Sequence, residues 1–360
     1  MDRFFSVSYS DARARFLQAC QQARVPVRHH MHPLRGPGGE TLATDACRIG
    51  PADAQDVVVV VSATHGTEGY AGSGIQVGLL ESLPGQLGPG QAAVLIHAIN
   101  PHGFAWTRRV NEDNIDLNRN FVDHEGANYP ENDLFERLMD HIIPPDLDEQ
   151  SLARCRVARE AIEREVGEVA VRKAIGKGQY LHPDNVHYGG RSATWSNRVL
   201  HEVCAEQLAQ ARRSLMVDVH TGLGPYGYGE LMTPARPDEP VFGILKTCFG
   251  DEVHSTTLIT TAYSGSKGSI LAGFRPPVAG LRYAGVGLEY GTRERQAMRK
   301  VIEADTWLHR HGDPASALGQ RIKTDLRDAF YPEESAWKKA VWERGQEVVR
   351  MSFAGLAALH

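Results

Sequence analysis

Asp56-Val57-Val58-Val59-Val60-Val61-Ser62-Ala63-Thr64-His65-Gly66-Thr67-Glu68-Gly69 is the stretch whose reading decides the fold. Five consecutive valines with no polar alternation suit a strand covered on both faces, as strands inside helix-flanked sheets are. Outward from it, Ala92 to Ile99 reads as a second buried strand, bounded by Gly88-Pro89-Gly90 and Asn100-Pro101. Gly72 to Leu80 between them reads as a crossover helix, and strand, helix, strand predicts an open α/β sheet. Leu215 to Val219 and Val286 to Tyr290 are the third and fourth strand candidates. Helices are expected over 11–23, starting at Ser10-Asp11, over 197–212, and over about 293–311 and 334–352. Residues 131–176, rich in Glu, Arg, Ala and Leu and interrupted by Pro144-Pro145, read as two helices. Arg35-Gly36-Pro37-Gly38-Gly39 is a turn. Residues 178–197, with His182, His187, Tyr188, Arg191 and Trp195 and no periodicity, form a loop suited either to lining a site or to a surface connection. No repeat, low-complexity tract or linker divides the chain, so residues 1–360 are expected to form a single domain.

Composition narrows the function classes. Hydrophobic residues at 42% and charged residues at 23% supply a core and leave no disordered tail. Lys plus Arg number 39 against 44 Asp plus Glu, a net charge of -5 with no basic stripe, which argues against nucleic acid or an anionic membrane bound mainly by charge. The five cysteines, Cys20, Cys47, Cys155, Cys204 and Cys248, are odd in number and never paired as C-x-x-C, so neither a disulfide framework nor a cysteine zinc site is expected. A reducing cytoplasm suits them. The start of the chain lacks the apolar core of a signal peptide, and its longest apolar run, Val57 to Val61, is too short to cross a bilayer. Most of the 16 histidines must be ordinary; the question is which few are not.

In open α/β sheets, ligands bind beyond the carboxyl ends of the strands. The four exits here are Thr64-His65-Gly66-Thr67-Glu68, Asn100-Pro101-His102-Gly103, His220-Thr221-Gly222 and Glu289-Tyr290-Gly291. A catalytic zinc takes three protein ligands from His and carboxylate and keeps one position for water. His65 and Glu68, three apart in a tight turn, can converge on one ion, and His220 from a separate strand end completes the set. Glu289 is then left over as a carboxylate able to take a proton from water and pass it to a leaving amine. Taken singly, His65 reads equally as a turn histidine and Glu289 as half of a salt bridge. The stretch Arg108-Arg109-Val110-Asn111-Glu112-Asp113-Asn114-Ile115-Asp116-Leu117-Asn118-Arg119-Asn120-Phe121 is dense in both charges. There Asn118 with Arg119 can hold a substrate carboxylate, Arg109 or Arg108 can face an oxygen that becomes negative, and Asp116 can accept the second ring N–H of a metal-binding histidine. The same residues also suit a solvated surface ion-pair cluster.

Together, His65-Gly66-Thr67-Glu68, Asn100-Pro101-His102-Gly103, Asp116-Leu117-Asn118-Arg119-Asn120-Phe121, Asp218-Val219-His220 and Glu289 resemble the zinc carboxypeptidase superfamily in order and spacing, across about residues 57–292. That superfamily includes the digestive metallocarboxypeptidases and the succinylglutamate desuccinylase/aspartoacylase branch. The resemblance implies an α/β fold with a mixed, mainly parallel eight-stranded sheet flanked by helices. It implies zinc as cofactor, held by His65, Glu68 and His220, with Glu289 as catalytic carboxylate. It places Arg109, with Arg108 as competitor, at the scissile carbonyl, Asn118 and Arg119 on the substrate carboxylate, and Asp116 behind His65. Asp218-Val219-His220-Thr221-Gly222 and the short gap from Arg109 to Asn118 are more like the desuccinylase and aspartoacylase branch. Tyr188 and Tyr263 are the candidates for the peptidases' tyrosine lid. The implied activity is zinc-dependent hydrolysis of an amide next to a free carboxylate, in a small amide or short peptide substrate. An N-acyl-amino-acid deacylase is the alternative within the class, and a non-catalytic metal- or ligand-binding protein on the same fold is the alternative outside it. No G-x-S-x-G elbow or G-x-G-x-x-G turn follows any strand, which disfavours a serine hydrolase or a dinucleotide enzyme.

Overall fold

The computed structural model describes residues 1–258 and 268–359. Among them, eight strands form one sheet: β1 (Val27–Arg35), β2 (Thr41–Ile49), β3 (Asp56–Val61), β4 (Gln91–His97), β5 (Arg213–Tyr226), β6 (Gly229–Thr233), β7 (Val253–Ser255) and β8 (Arg282–Gly291). Their spatial order is β1-β2-β4-β3-β5-β8-β6-β7. The neighbours β4 and β3, β3 and β5, β5 and β8, and β6 and β7 run parallel, while the β1/β2, β2/β4 and β6/β8 pairs are antiparallel. The sheet is thus mixed and mainly parallel, with helices on both faces.

The valine run behaves as its composition requires. Val58 and Val60 enter a core formed with the helices Tyr9–Gln22, Gly69–Ser82, Pro240–Phe249 and Ser335–Ala358. Val57, Val59 and Val61 enter the opposite core, against the helix Trp195–Gln207. All five are fully buried, worth about 1.5–3 kcal/mol each relative to exposure. From β3 the chain crosses through Gly69–Ser82 to β4 on one side, while β5 lies on the other. This switch point opens a crevice at the carboxyl ends of β3 and β5.

Several expectations are corrected. The first helix starts at Tyr9, because the Ser8 side chain, not Ser10, accepts the Asp11 N–H and caps it. The region 131–176 holds three α-helices, Asp133–Leu138, Glu149–Val166 and Glu168–Lys177, and the break between the last two is Gly167 at φ 90°. The C-terminal part adds Ala317–Phe330 between Arg295–His311 and Ser335–Ala358. β1, β2, β6 and β7 carry mixed polar and apolar residues and offer no long apolar run to recognise, although Leu42–Cys47 of β2 is buried throughout. The turn at residues 36–39 joins β1 to β2. All five cysteines are free and buried. Among the described residues no helix is long and apolar enough to cross a membrane.

Candidate metal centre

The crevice is built where strand ends bend. β3 and β4 are each followed by an alanine in the left-handed region, Ala63 at φ 61° and Ala98 at φ 57°, a conformation that costs an L-residue about 1–2 kcal/mol. The two bends brace each other: Ile99 N–H donates to Ser62 O at 3.0 Å and Asn100 N–H to Ala63 O at 3.2 Å. Beyond them, a 3₁₀ turn at Gly66–Glu68 puts His65 and Glu68 on one side. A Cβ at Gly66 would stand 2.0 Å from the Gly103 carbonyl carbon, so only glycine lets the two exit turns pack this closely. The same turn is tied to the arginine-rich segment, with Gly66 N–H donating to Arg109 O at 3.2 Å and Thr67 N–H to Arg108 O at 2.9 Å.

His220 arrives on β5, whose register sets it opposite Glu289 on β8. Glu68 Oε1 lies 2.8 Å from His65 Nδ1 and Glu68 Oε2 lies 2.8 Å from His220 Nδ1. His65, Glu68 and His220 are 4%, 3% and 3% exposed, and their donor atoms fall within 4.8 Å of one another, a group that can hold a metal ion. The other nitrogen of each ring meets an aspartate: His65 Nε2 is 3.2 Å from Asp116 Oδ1, and His220 Nε2 is 2.7 Å from Asp218 Oδ2. Each imidazole therefore has a carboxylate at both nitrogens. A neutral ring has one proton for the two, so either the ring is protonated or one nitrogen meets a cation. The second case would have His65, Glu68 and His220 hold a metal ion, with Asp116 and Asp218 accepting the remaining ring N–H of each histidine, the usual outer support of a metal-binding histidine. Two imidazoles and one carboxylate also fit the three-ligand set of catalytic zinc sites.

Without a cation, the neighbouring charges set the protonation of the group. Burial opposes ionisation of Glu68, but His65 and His220 outweigh it and hold the carboxyl at about 2. For His220, burial works against the charged ring, yet Asp218 and Glu68 push its pKa well above the usual histidine range. Glu289 goes the other way. Burial first, then repulsion from Glu68, raise its carboxyl to about 7, although the Leu223 N–H donates to its Oε1 at 3.0 Å.

The polar segment is not a solvated surface cluster. Asp116 is fully buried; burial opposes its charge, and Arg109 and Arg119 nevertheless hold its carboxyl well below the usual range. Its Oδ2 accepts from Arg109 Nη1 and lies 3.1 Å from His187 Nδ1. Asn118 Nδ2 is 3.3 Å from His220 Nε2, and Asn118 Oδ1 accepts the Ile270 N–H at 3.0 Å. Arg119 donates to Asn118 O at 2.7 Å and to Gly176 O. His65, Glu68, Arg109, Asn118, Arg119, His220 and Glu289 all line one cavity of about 670 Å³. The two candidate arginines part company here. Arg108 turns away, to Asp305 at 3.4 Å and Asn114 Oδ1 at 2.8 Å, and does not line the cavity.

His102, at the remaining strand exit, stays out of the centre and stacks on Trp106 with centroids 5.7 Å apart. Tyr188 lies outside the cavity, bridged to Ile115 and Gln179, and Tyr263 falls outside the described residues. Two contributors carried no assigned role in the sequence reading, Asp218 and His187. For Asp218 a signal existed, since residues two apart on a strand share a face and Asp218 must therefore accompany His220.

A family described as "Protein of unknown function (DUF2817)" matches residues 5–344. The chain belongs to that family. No match is found among curated protein sequences. Among solved structures, carboxypeptidase A from Helicoverpa armigera is similar over 91% of this chain and 75% of its own, at 14% identity and a TM-score of 0.47. Bovine thrombin-activatable fibrinolysis inhibitor, in complex with tick carboxypeptidase inhibitor, is similar over 96% of this chain and 97% of its own, at 13% identity and 0.45. Succinylglutamate desuccinylase from Chromobacterium violaceum follows at 89% and 74%, 16% identity and 0.36. All three are of the zinc carboxypeptidase-like superfamily that the motifs resemble.

Proposed function

We propose that this DUF2817 chain is a zinc-dependent hydrolase that cleaves an amide bond next to a free carboxylate. The observation that supports it most is the company Glu289 keeps: a buried carboxyl, raised to about 7, beside a His65–Glu68–His220 group on the wall of a cavity. The chemistry a zinc ion supplies when held by those three residues is Lewis acidity toward water and toward a carbonyl oxygen. Glu289 accepts a proton from the attacking water and delivers it to the departing amine. A group poised near neutrality serves both duties, and the Leu223 N–H fixes where it stands. Arg109, held by Asp116, faces the carbonyl oxygen as it turns negative. Asn118 and Arg119 orient the substrate carboxylate through a planar fork and an amide donor. Asp116 and Asp218 keep the two histidines in one tautomer.

The test pairs metal content with turnover. Glu289→Gln is expected to keep stoichiometric zinc by elemental analysis and to lose about 10²–10⁴-fold in hydrolysis of N-acyl amino acids or dipeptides. Wild-type rates in that variant would sink the assignment.

A further inference from the structure

The centre occupies only part of the cavity. At about 670 Å³ the space is of the size that holds drug-sized ligands, far larger than an acetyl or succinyl group needs. Its wall is uneven in chemistry. One part carries the hydroxyl residues Ser269, Thr256 and Thr233, interleaved with Met232, Pro234 and Leu271. On the side of Arg109 an apolar stretch of wall, Val171, Ile175, Val186, Met298 and Ile302, runs among charged residues of the same helices. Arg109 also shares a narrow crevice with Val186 and Ile302, which puts this apolar wall next to the arginine.

That wall has its own construction. Val171, Ile175 and Val186 belong to a hydrophobic cluster built from Asp133–Leu138, Glu149–Val166, Glu168–Lys177, the loop at Val186, Arg295–His311 and Ala317–Phe330, separate from the cores on the two faces of the sheet. They are 2%, 9% and 4% exposed, so the helices present to the cavity the same side chains that hold them together. Several charges on these helices pair with one another. Arg156 lies 3.8 Å from Glu160, Arg172 lies 3.6 Å from Glu168, and Arg159 lies 2.8 Å from Glu303, which Arg299 also approaches at 3.7 Å. Lys173 and Arg295 are exposed, at the mouth. A carboxylate on the acyl side would have to compete with these pairs, whereas an alkyl or aryl group meets matching surface.

We infer that the group on the carbonyl side of the scissile amide is large and apolar, a medium-length alkyl or an aromatic acyl group, received by Val171, Ile175, Val186, Met298 and Ile302. The inference rests on the hydrolase reading for its orientation, since Arg109 marks the carbonyl and Asn118 with Arg119 the amine side.

Binding and turnover are measured separately so that the two readings can fail separately. Zinc-loaded Glu289→Gln is titrated calorimetrically with N-acetyl, N-succinyl and N-octanoyl derivatives of alanine and of phenylalanine, and the wild type is assayed for hydrolysis of the same compounds. Each buried methylene tightens binding about three- to fourfold, so burial of even two of the six that octanoyl adds over acetyl gives about tenfold. At least tenfold tighter binding of the octanoyl compounds is expected. Ile302→Arg, in the Glu289→Gln background, is expected to remove that preference while acetyl binding and zinc content stay unchanged; Ile302→Trp, which fills the space without adding charge, should do the same. Octanoyl binding no tighter than acetyl or succinyl, absent altogether, or untouched by either Ile302 substitution in a folded protein overturns the inference. Octanoyl preference without wild-type turnover keeps the apolar acyl-binding wall and removes the hydrolase reading; turnover without that preference does the reverse.

Discussion

Replacing Glu289 with Gln in the metal-free protein isolates the electrostatics of the centre from its chemistry. Burial and the neighbouring Glu68 raise the Glu289 carboxyl from 4.5 to about 7 in the folded protein. The fold thus favours the protonated form. This stabilising contribution is whole below the unfolded value and is lost as pH rises through about 7. The full difference corresponds to about 3 kcal/mol, most of which falls between pH 5 and pH 8.5. Gln cannot ionise, and its amide oxygen still accepts the Leu223 N–H. The variant should therefore gain on the wild type by about 2–3 kcal/mol over that interval. For a chain of 360 residues, with an unfolding entropy of about 2.1 cal/mol/K per residue, that is a relative rise in Tm of about 3 °C. The assay is differential scanning calorimetry of both proteins after chelation, at pH 5 and at pH 8.5. Taking the difference between the two pH values cancels whatever the substitution does to packing. A gap that does not change with pH, or that widens toward acid, would refute the reasoning. Adding zinc should shrink the gap at pH 8.5, because a cation beside Glu289 stabilises its charged form.

Three further outcomes follow from the same geometry. His65→Ala should lower bound metal, read by elemental analysis, and full occupancy in that variant would contradict the ligand assignment. Asp218→Asn should weaken zinc affinity about 10–100-fold in a competition titration with a chromogenic chelator, because His220 loses the carboxylate that fixes its ring; an unchanged affinity would leave Asp218 a structural role only. The two adjacent arginines should separate cleanly. Arg109→Ala should cut kcat about 10²–10³-fold, whereas Arg108→Ala, which takes one cation from buried Asp305 and leaves it Lys323 at 2.5 Å, should cost about 1.5–3 kcal/mol of stability with kcat nearly unchanged; equal kinetic losses in both would remove the distinction.

What the sequence by itself determined is the part governed by short-range patterning. Five valines in a row could be nothing but a strand covered on both sides, and the residues just past strand ends were the ones to inspect. His65 and Glu68 sit three apart in one turn, so their convergence was legible, and Asp218 was equally legible beside His220 by strand alternation. Only the tertiary structure decided what depends on register and on segments far apart in the chain. β5 against β8 sets His220 opposite Glu289, and nothing local in either strand specifies that pairing. The choice between Arg108 and Arg109 turns on where Asp305 lies, 197 residues away, a partner the sequence cannot single out. The marginal strands β1, β2, β6 and β7 were illegible because neighbours, not their own periodicity, make them strands. The apolar stretch of wall on the side of Arg109 was hidden for the same reason: its side chains come from helices and a loop that look like ordinary amphipathic surface until their shared cluster brings them to one side of the cavity.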